Sequence, residues 1–255
     1  DHINVFPTYE NYVEQFEIFI QKITNGGILV YNEDDSEVKR VAEAATNPIR
    51  KLPYSTPKYT VENGITLLET PDGAMPIEVF GAHNLNNLAG AKWVCQNMGV
   101  DEADFYEAIA SFKGASKRLE KIASNQNNVA YKDFAHSPSK VSATTKAVKD
   151  QYPDKKLIAC LELHTYSSLN AEFLKEYEGA LDAADVAVVF YSPDAVKIKQ
   201  LDEVTYEQIA KSFNREDLVI YTNPEAFKEF LFHLKFDTEK IALLLMSSGN
   251  YGGLN

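Results

Sequence analysis

The sequence predicts an α/β fold built on a mostly parallel sheet, and three observations carry that reading. From about residue 129 to 246, short apolar runs alternate with helical periodicities, the βαβα rhythm of a parallel sheet with helices on both faces. Before that, residues 49–80 switch to short alternating strands punctuated by Pro53, Pro57, Asn63-Gly64 and Asp72-Gly73. Between the two lies Lys113-Gly114-Ala115-Ser116, a candidate hinge.

Each element has its own signal. Val13, Phe16, Phe19, Ile20 and Ile23 recur at helical spacing, and Asn25-Gly26-Gly27 stops the helix. Residues 27–32 form the continuous apolar run of a buried strand, followed by a charged helix over 36–45. Residues 81–98 read as a helix with an apolar face through Leu88, Ala91, Cys95 and Met98, closed by Gly99. A further helix spans 102–112. Beyond the hinge, strands fit 129–134, 157–161, 186–191, 218–221 and 241–246, and helices fit 140–151, 171–177, 205–212 and 226–234. No internal repeat interrupts the pattern.

Composition narrows the class. The chain has 255 residues, 45% hydrophobic and 11% aromatic, enough for one large domain or two modest ones. No apolar run approaches the ~18 residues of a membrane helix, and no secretory signal opens the chain. A membrane is therefore not an expected partner. A net charge of −12 with no basic stripe argues against nucleic acid. Cys95 and Cys160 sit far apart in apolar stretches and read as ordinary buried thiols of a reducing compartment, with the cytoplasm as the simplest address. The chain begins at Asp1-His2 without an initiator Met, consistent with an excised fragment.

Ligands of an open α/β sheet bind beyond the carboxyl ends of its strands, so polar residues there are weighed first. Asp133-Phe134-Ala135-His136-Ser137-Pro138 sits at such an end, with Ser137 as a cap and Pro138 at a first helical position. Asp133 and His136 either face a cleft or satisfy loop amides. In Gly81-Ala82-His83-Asn84-Leu85-Asn86-Asn87, Asn84 and Asn87 share a helical face and can offer a donor and an acceptor to a flat heterocycle. The bland alternative is an Asn-rich cap. Arg118, just after the hinge, is either a phosphate or carboxylate clamp or a solvated surface residue. His164 ends an apolar strand after Glu162, as a cleft residue or a satisfied core histidine. His2 beside Asp1 is a candidate metal ligand, although a terminal histidine usually has no role. His233 is assigned none. The glycine-rich turn Ser247–Gly253 completes no phosphate-binding fingerprint, so close packing is its expected purpose.

Taken in order, these motifs resemble those of the Mur ligases. Asp1-His2 resembles the end of the central-domain motif whose His binds Mg²⁺. Residues 81–87 match G-x-H-N-x-x-N, whose asparagines contact adenine. Phe112-Lys113-Gly114 with Arg118-Leu119-Glu120 matches F-x-G…R-x-E, whose Arg reaches the phosphate and ribose region. Residues 133–138 match D-[FY]-[AG]-H-x-P, whose Asp contacts the ribose.

The resemblance implies that residues 1–112 are the carboxyl-terminal portion of the central ATP-binding domain. Residues 113–255 would then be a Rossmann-like carboxyl-terminal domain. It implies ATP and Mg²⁺ as cofactors. His83, Asn84, Asn87, Arg118 and Asp133 would hold the nucleotide, Arg118 and His136 would act in catalysis, and His2 would hold the metal.

The implied chemistry joins an amine to the carboxylate of UDP-N-acetylmuramate through an acyl phosphate. The amine is a recycled tripeptide, L-Ala-γ-D-Glu-meso-diaminopimelate, or alanine itself. The glycine loop with its Lys and the sugar-nucleotide domain are not among these residues, so the chain alone is expected not to ligate. The alanine-adding pattern P-H-R-[FY]-x-R is replaced by Leu163-His164-Thr165-Tyr166-Ser167-Ser168, without its arginines. His164, Thr165, Tyr166 and Ser168 are the candidate amine-substrate residues there, and the wording of Asp133-Phe134-Ala135-His136 and Arg118-Leu119-Glu120 resembles the tripeptide branch more closely. A catalytically dead nucleoside-binding module and a folylpolyglutamate-type ligase are the alternatives.

Overall fold

In a computed structural model that describes residues 5–200 and 204–253, the chain divides into two compact units. One runs to Phe112 and the other from Lys113 to Asn255.

The first unit opens with α1 (Tyr9–Gln21), which begins four residues earlier than its apolar repeat suggests. Thr8 explains the difference: its hydroxyl accepts from the Asn11 N–H at 3.1 Å and caps a first turn that has no apolar face. Strand β1 (Ile28–Asn32), α2 (Ser36–Ala44) and β2 (Arg50–Tyr54) follow. The two strands pair in parallel, and Leu29, Tyr31, Val41, Ala42 and Ile20 form their core. Asp35 caps α2, accepting from Glu37 and Val38 at 3.0 Å each.

Strands β3 (Tyr59–Glu62), β4 (Ile65–Thr70) and β5 (Gly73–Ile77) make an antiparallel meander turning at the two predicted turn dipeptides. Helix α3 (Ala82–Asn97) begins at Gly81, whose φ of +87° is readily adopted only by glycine. Its buried face is not the one the apolar count suggests. Met98 is 79% exposed and Ala91 is exposed, whereas Leu85, Asn86, Leu88 and Gly90 are buried. An Asn and a Gly in the stripe hide it from a hydrophobicity count. Gly90 is there because a Cβ would lie 2.9 Å from the Tyr54 ring. Cys95 is correspondingly only half-buried, unlike Cys160. Helix α4 (Glu102–Ala110) packs Phe105 against Leu68, Ile77, Leu85 and Leu88.

The second unit is a six-stranded sheet. Its strands are β6 (Glu120–Ser124), β7 (Val129–Asp133), β8 (Lys156–Leu163), β9 (Val186–Tyr191), β10 (Val219–Tyr221) and β11 (Ile241–Met246). Their order is β10-β9-β8-β11-β7-β6, all parallel except the edge strand β6. β6 escapes a sequence reading because it is short, bulged near Ile122, and leaves Ile122 exposed.

Helix α5 (Pro138–Gln151) covers one face, with Thr145 reaching Met246 of β11. Helix α8 (Pro224–Phe232) covers the other, placing Phe227 on Ile158, Cys160, Val188, Phe190 and Leu243. The helix expected over 171–177 is a 3₁₀ turn, Phe173–Tyr177, after a shorter one at Ser167–Leu169. Asn170 between them accepts from Glu172 and Phe173 N–H groups. Two short helices complete the unit. One is α6 (Pro193–Ile198), with Ser192 as its cap, and the other is α7 (Tyr206–Ser212), with the Thr205/Gln208 capping box. No helix among the described residues is long and apolar enough to cross a membrane.

Candidate functional site

In the first unit, the candidate residues lie on the opening turns of α3. Asn84 is half-buried and donates its Nδ2 to the Phe80 carbonyl at 3.0 Å, which leaves its Oδ1 as an acceptor. Asn87 is exposed and its carboxamide has no hydrogen-bond partner among the described residues. His83 is half-buried beside them. The pair therefore presents one committed and one uncommitted carboxamide on a single face, a set that fits a flat heterocycle with adjacent donor and acceptor positions.

The residue between them was not singled out by its sequence. Asn86 is buried, and its Nδ2 lies within hydrogen-bonding distance of Asn32 Oδ1 (3.1 Å), Asp34 Oδ2 (3.1 Å) and Thr56 Oγ1 (3.2 Å). It ties the start of α3 to the carboxyl ends of β1 and β2. The Asp34 carboxyl is held below the usual carboxylate range by the Thr56 N–H, then by the Thr56 hydroxyl and Asn86. A triplet of asparagines in one helical turn conceals which of them points inward.

In the second unit, parallel register brings three segments to one sheet edge. Met246 is level with both Asp133 and Leu161, so β7 and β11 end together while β8 runs on to Leu163, and the Ser247 N–H donates to the Asp133 carbonyl at 3.0 Å. Asp133 is only 5% exposed. Its Oδ1 accepts from the Ala135 N–H and its Oδ2 from the Leu119 N–H, each at 2.6 Å. The loop-amide role weighed for it is thus occupied, and each oxygen keeps one further lone pair.

Leu119 closes a loop in which Lys117 (φ 56°) and Leu119 (φ 45°) are both left-handed. That conformation is uncommon outside glycine. Carboxylates hold it from both ends. Glu120 Oε2 accepts from the Lys117 N–H (2.7 Å) and the Ser116 hydroxyl (3.1 Å), while Asp133 takes Leu119. Arg118 lies between, exposed, with no side-chain partner among the described residues.

His136 donates Nδ1 to the Phe134 carbonyl at 2.9 Å, which fixes its ring, and its own carbonyl accepts from the Tyr177 hydroxyl. Ser137 stands at the cap position of α5, but its hydroxyl makes no cap bond; its Oγ is buried and unpartnered. The capping expected of it is corrected accordingly. Pro138 does occupy the first turn.

The segment after β8 divides. His164 is half-buried and Tyr166 exposed, so both are accessible. Thr165 and Ser168 bond to each other, Oγ1 to Oγ at 2.9 Å, and the Ser168 N–H donates to Thr165 Oγ1 at 3.1 Å. Ser168 is fully buried. Its hydroxyl serves the turn rather than a ligand, which corrects the sequence-based expectation of a substrate contact there. The Ser247–Gly253 turn is packed tightly, as expected. Tyr251 is buried, with its single hydroxyl proton shared between the Cys160 and Met246 carbonyls, at 2.8 and 2.9 Å from its oxygen. His233 is exposed and donates to its own helix. His2 lies outside the described residues, and no group of three or more His, Cys, Asp or Glu among the described residues forms a metal set.

Comparison with known proteins points to one family. The Mur ligase middle domain profile matches residues 1–95. A UDP-N-acetylmuramate–L-alanine ligase of Sulfurihydrogenibium is 30% identical over 196 residues, which cover 74% of this chain and 43% of the relative. Among solved structures, MurF ligase of Thermotoga maritima in complex with ADP has a TM-score of 0.68 at 18% identity, covering 96% of this chain and 56% of that one. A murein peptide ligase of Psychrobacter arcticus gives 0.59 at 17%, covering 94% and 52%. At such identities these two structures speak to the fold alone. The chain spans about half the length of the curated relatives it matches, between 43% and 54%.

Proposed function

Because this chain belongs to the Mur ligase family, we propose that it supplies nucleoside- and amine-handling surfaces of an ATP-dependent ligase acting on UDP-N-acetylmuramate. The observation that carries the reading is the Asp133 carboxylate, held rigid by two backbone N–H groups beside the exposed Arg118.

In this reading the Asn84 oxygen and the Asn87 carboxamide take the edge of adenine. The remaining lone pairs of Asp133 accept a ribose hydroxyl, and Arg118 offsets phosphate charge. The ring of His136, oriented by the Phe134 carbonyl, is a fixed polar group at the same edge. Mg²⁺ would supply further charge neutralisation when bound, with His2 as its assigned ligand. Such chemistry is chiefly positioning and electrostatic stabilisation.

The amine is the finer question. A small amino acid is recognised largely through its carboxylate. Thr165 and Ser168, bonded to each other, stand where the alanine-adding pattern has arginines, which favours a peptide such as L-Ala-γ-D-Glu-meso-diaminopimelate. Likeness to the UDP-N-acetylmuramate–L-alanine ligase of Sulfurihydrogenibium supports the second reading, alanine itself. Phosphate release by the gene's full product, with UDP-N-acetylmuramate, ATP and either amine, decides. The tripeptide is expected to give the higher specificity constant. A higher value for alanine reverses the choice, and ATP consumption with neither amine rejects the ligase reading.

A further inference from the structure

Glu162 is buried (3% exposed) on β8, yet its two oxygens are unequally served. Oε2 accepts from the Ser247 hydroxyl and from the Tyr251 N–H at 2.9 Å. The polar group recorded near Oε1 is His164 Nδ1, at 3.7 Å, too far for a good hydrogen bond. A buried carboxylate is costly unless its oxygens are paired.

The surroundings place that oxygen at the ligand-binding end of the sheet. Glu162 stands at the carboxyl end of β8, beside the end of β11, where ligands of parallel sheets bind. Gly249 packs closely against this pair: a Cβ there would lie 2.8 Å from Glu162 Oε2 and 2.9 Å from the His164 ring, so only glycine leaves both side chains in place. Next to it, Ser248 Oγ is buried without a hydrogen-bond partner. The His164 side chain is 41% exposed beside them. The group has one buried acid, an unpartnered hydroxyl, an imidazole and no arginine, the reverse of a site built to grip a carboxylate.

We propose that Glu162, with His164 and Ser248, forms a subsite for a primary ammonium group of the amine substrate. This rests on the ligase reading but concerns a different end of the substrate from the nucleotide. The ammonium donates to Glu162 Oε1 and Ser248 Oγ, pairing the oxygens that the fold leaves short of donors. Arginines are absent from the segment after β8 because the group recognised there is the cation.

The test separates charge from shape. The protein is titrated with L-alaninamide, which has an ammonium and no carboxylate, and with N-acetyl-L-alanine, which has the converse. Binding is followed by backbone amide shifts of residues 162–166 and 247–250. L-Alaninamide is expected to perturb these residues, and N-acetyl-L-alanine to leave them unchanged. Glu162→Gln keeps an oxygen for Ser247 and Tyr251 but removes the charge, and should weaken L-alaninamide at least tenfold. Equal or stronger binding of N-acetyl-L-alanine, no shift with L-alaninamide, or an unaltered affinity in a folded Glu162→Gln protein would each overturn the proposal. Should Glu162→Gln not fold, the two-probe comparison on the unmodified protein still decides. Phosphate release by the full gene product tests the ligase reading separately.

Discussion

The N–H of Leu119 donates to the buried carboxylate of Asp133 at 2.6 Å, joining a left-handed loop to the end of a central strand fourteen positions later. The same side chain holds the Ala135 N–H, so one residue organises both loops at this edge. Asp133→Ala removes two charge-assisted bonds and leaves their donors with a smaller neighbour. Bonds to charged groups contribute roughly 1.5–3 kcal/mol each, and their loss is not additive. Urea denaturation should show about 2–4 kcal/mol less stability. A loss within the error of the measurement would mean that the loop holds itself.

Asn86 makes a comparable tie in the first unit. Asn86→Ala leaves Asn32, Asp34 and Thr56 without their common donor, at a cost of about 1–3 kcal/mol for a buried polar group stripped of its partner. Thermal or urea unfolding measures it, and an unchanged midpoint would show that water replaces the amide without penalty.

Asp34 adds a pH dependence of definite sign. Its folded pKa is depressed, chiefly by the Thr56 N–H, so the stabilisation it contributes is present above the ordinary carboxylate range and lost as pH falls through the folded value. The stability difference between the unmodified protein and Asp34→Asn should therefore be largest near neutrality and shrink on acidification toward about pH 3. A difference that stays constant between pH 7 and the acid range would contradict the assignment.

Asn87 bears on the nucleotide. It is exposed and caps nothing, so Asn87→Ala should leave stability within about 0.5 kcal/mol, as for surface substitutions generally. In the full gene product it should weaken ATP by about 1–3 kcal/mol, roughly five- to 150-fold, and leave UDP-N-acetylmuramate unaffected. Calorimetry with both ligands checks it. Unchanged ATP affinity in the folded variant would return Asn87 to a surface role.

Gly81 tests the geometry that aims these asparagines. Its φ of +87° costs a residue with a Cβ on the order of 1–2 kcal/mol, so Gly81→Ala should lower the unfolding midpoint and loosen the start of α3. Hydrogen exchange at residues 82–86 would rise with it, and exchange rates equal to those of the unmodified protein would show that the turn tolerates a side chain.

What the sequence determined by itself was the set of elements whose periodicity is strong and local. The strands at 28–32, 156–163, 186–191 and 241–246 are runs of apolar residues that can be buried on both faces, and alternation with helices then leaves little choice but a parallel sheet. The motifs around Asn84, Arg118 and Asp133 were legible for the same reason, since each is a short contiguous string. Tertiary structure decided what depends on partners distant in the chain. It turned Asn86 rather than Met98 inward, because Asn32, Asp34 and Thr56 stand opposite it. It ended β11 level with Leu161 while β8 runs on, which lets Ser247 and Tyr251 reach Glu162 from more than eighty positions away. It also buried Ser168 in a turn with Thr165. Burial of a polar side chain is settled by which donors and acceptors the fold sets against it, and no local pattern records that.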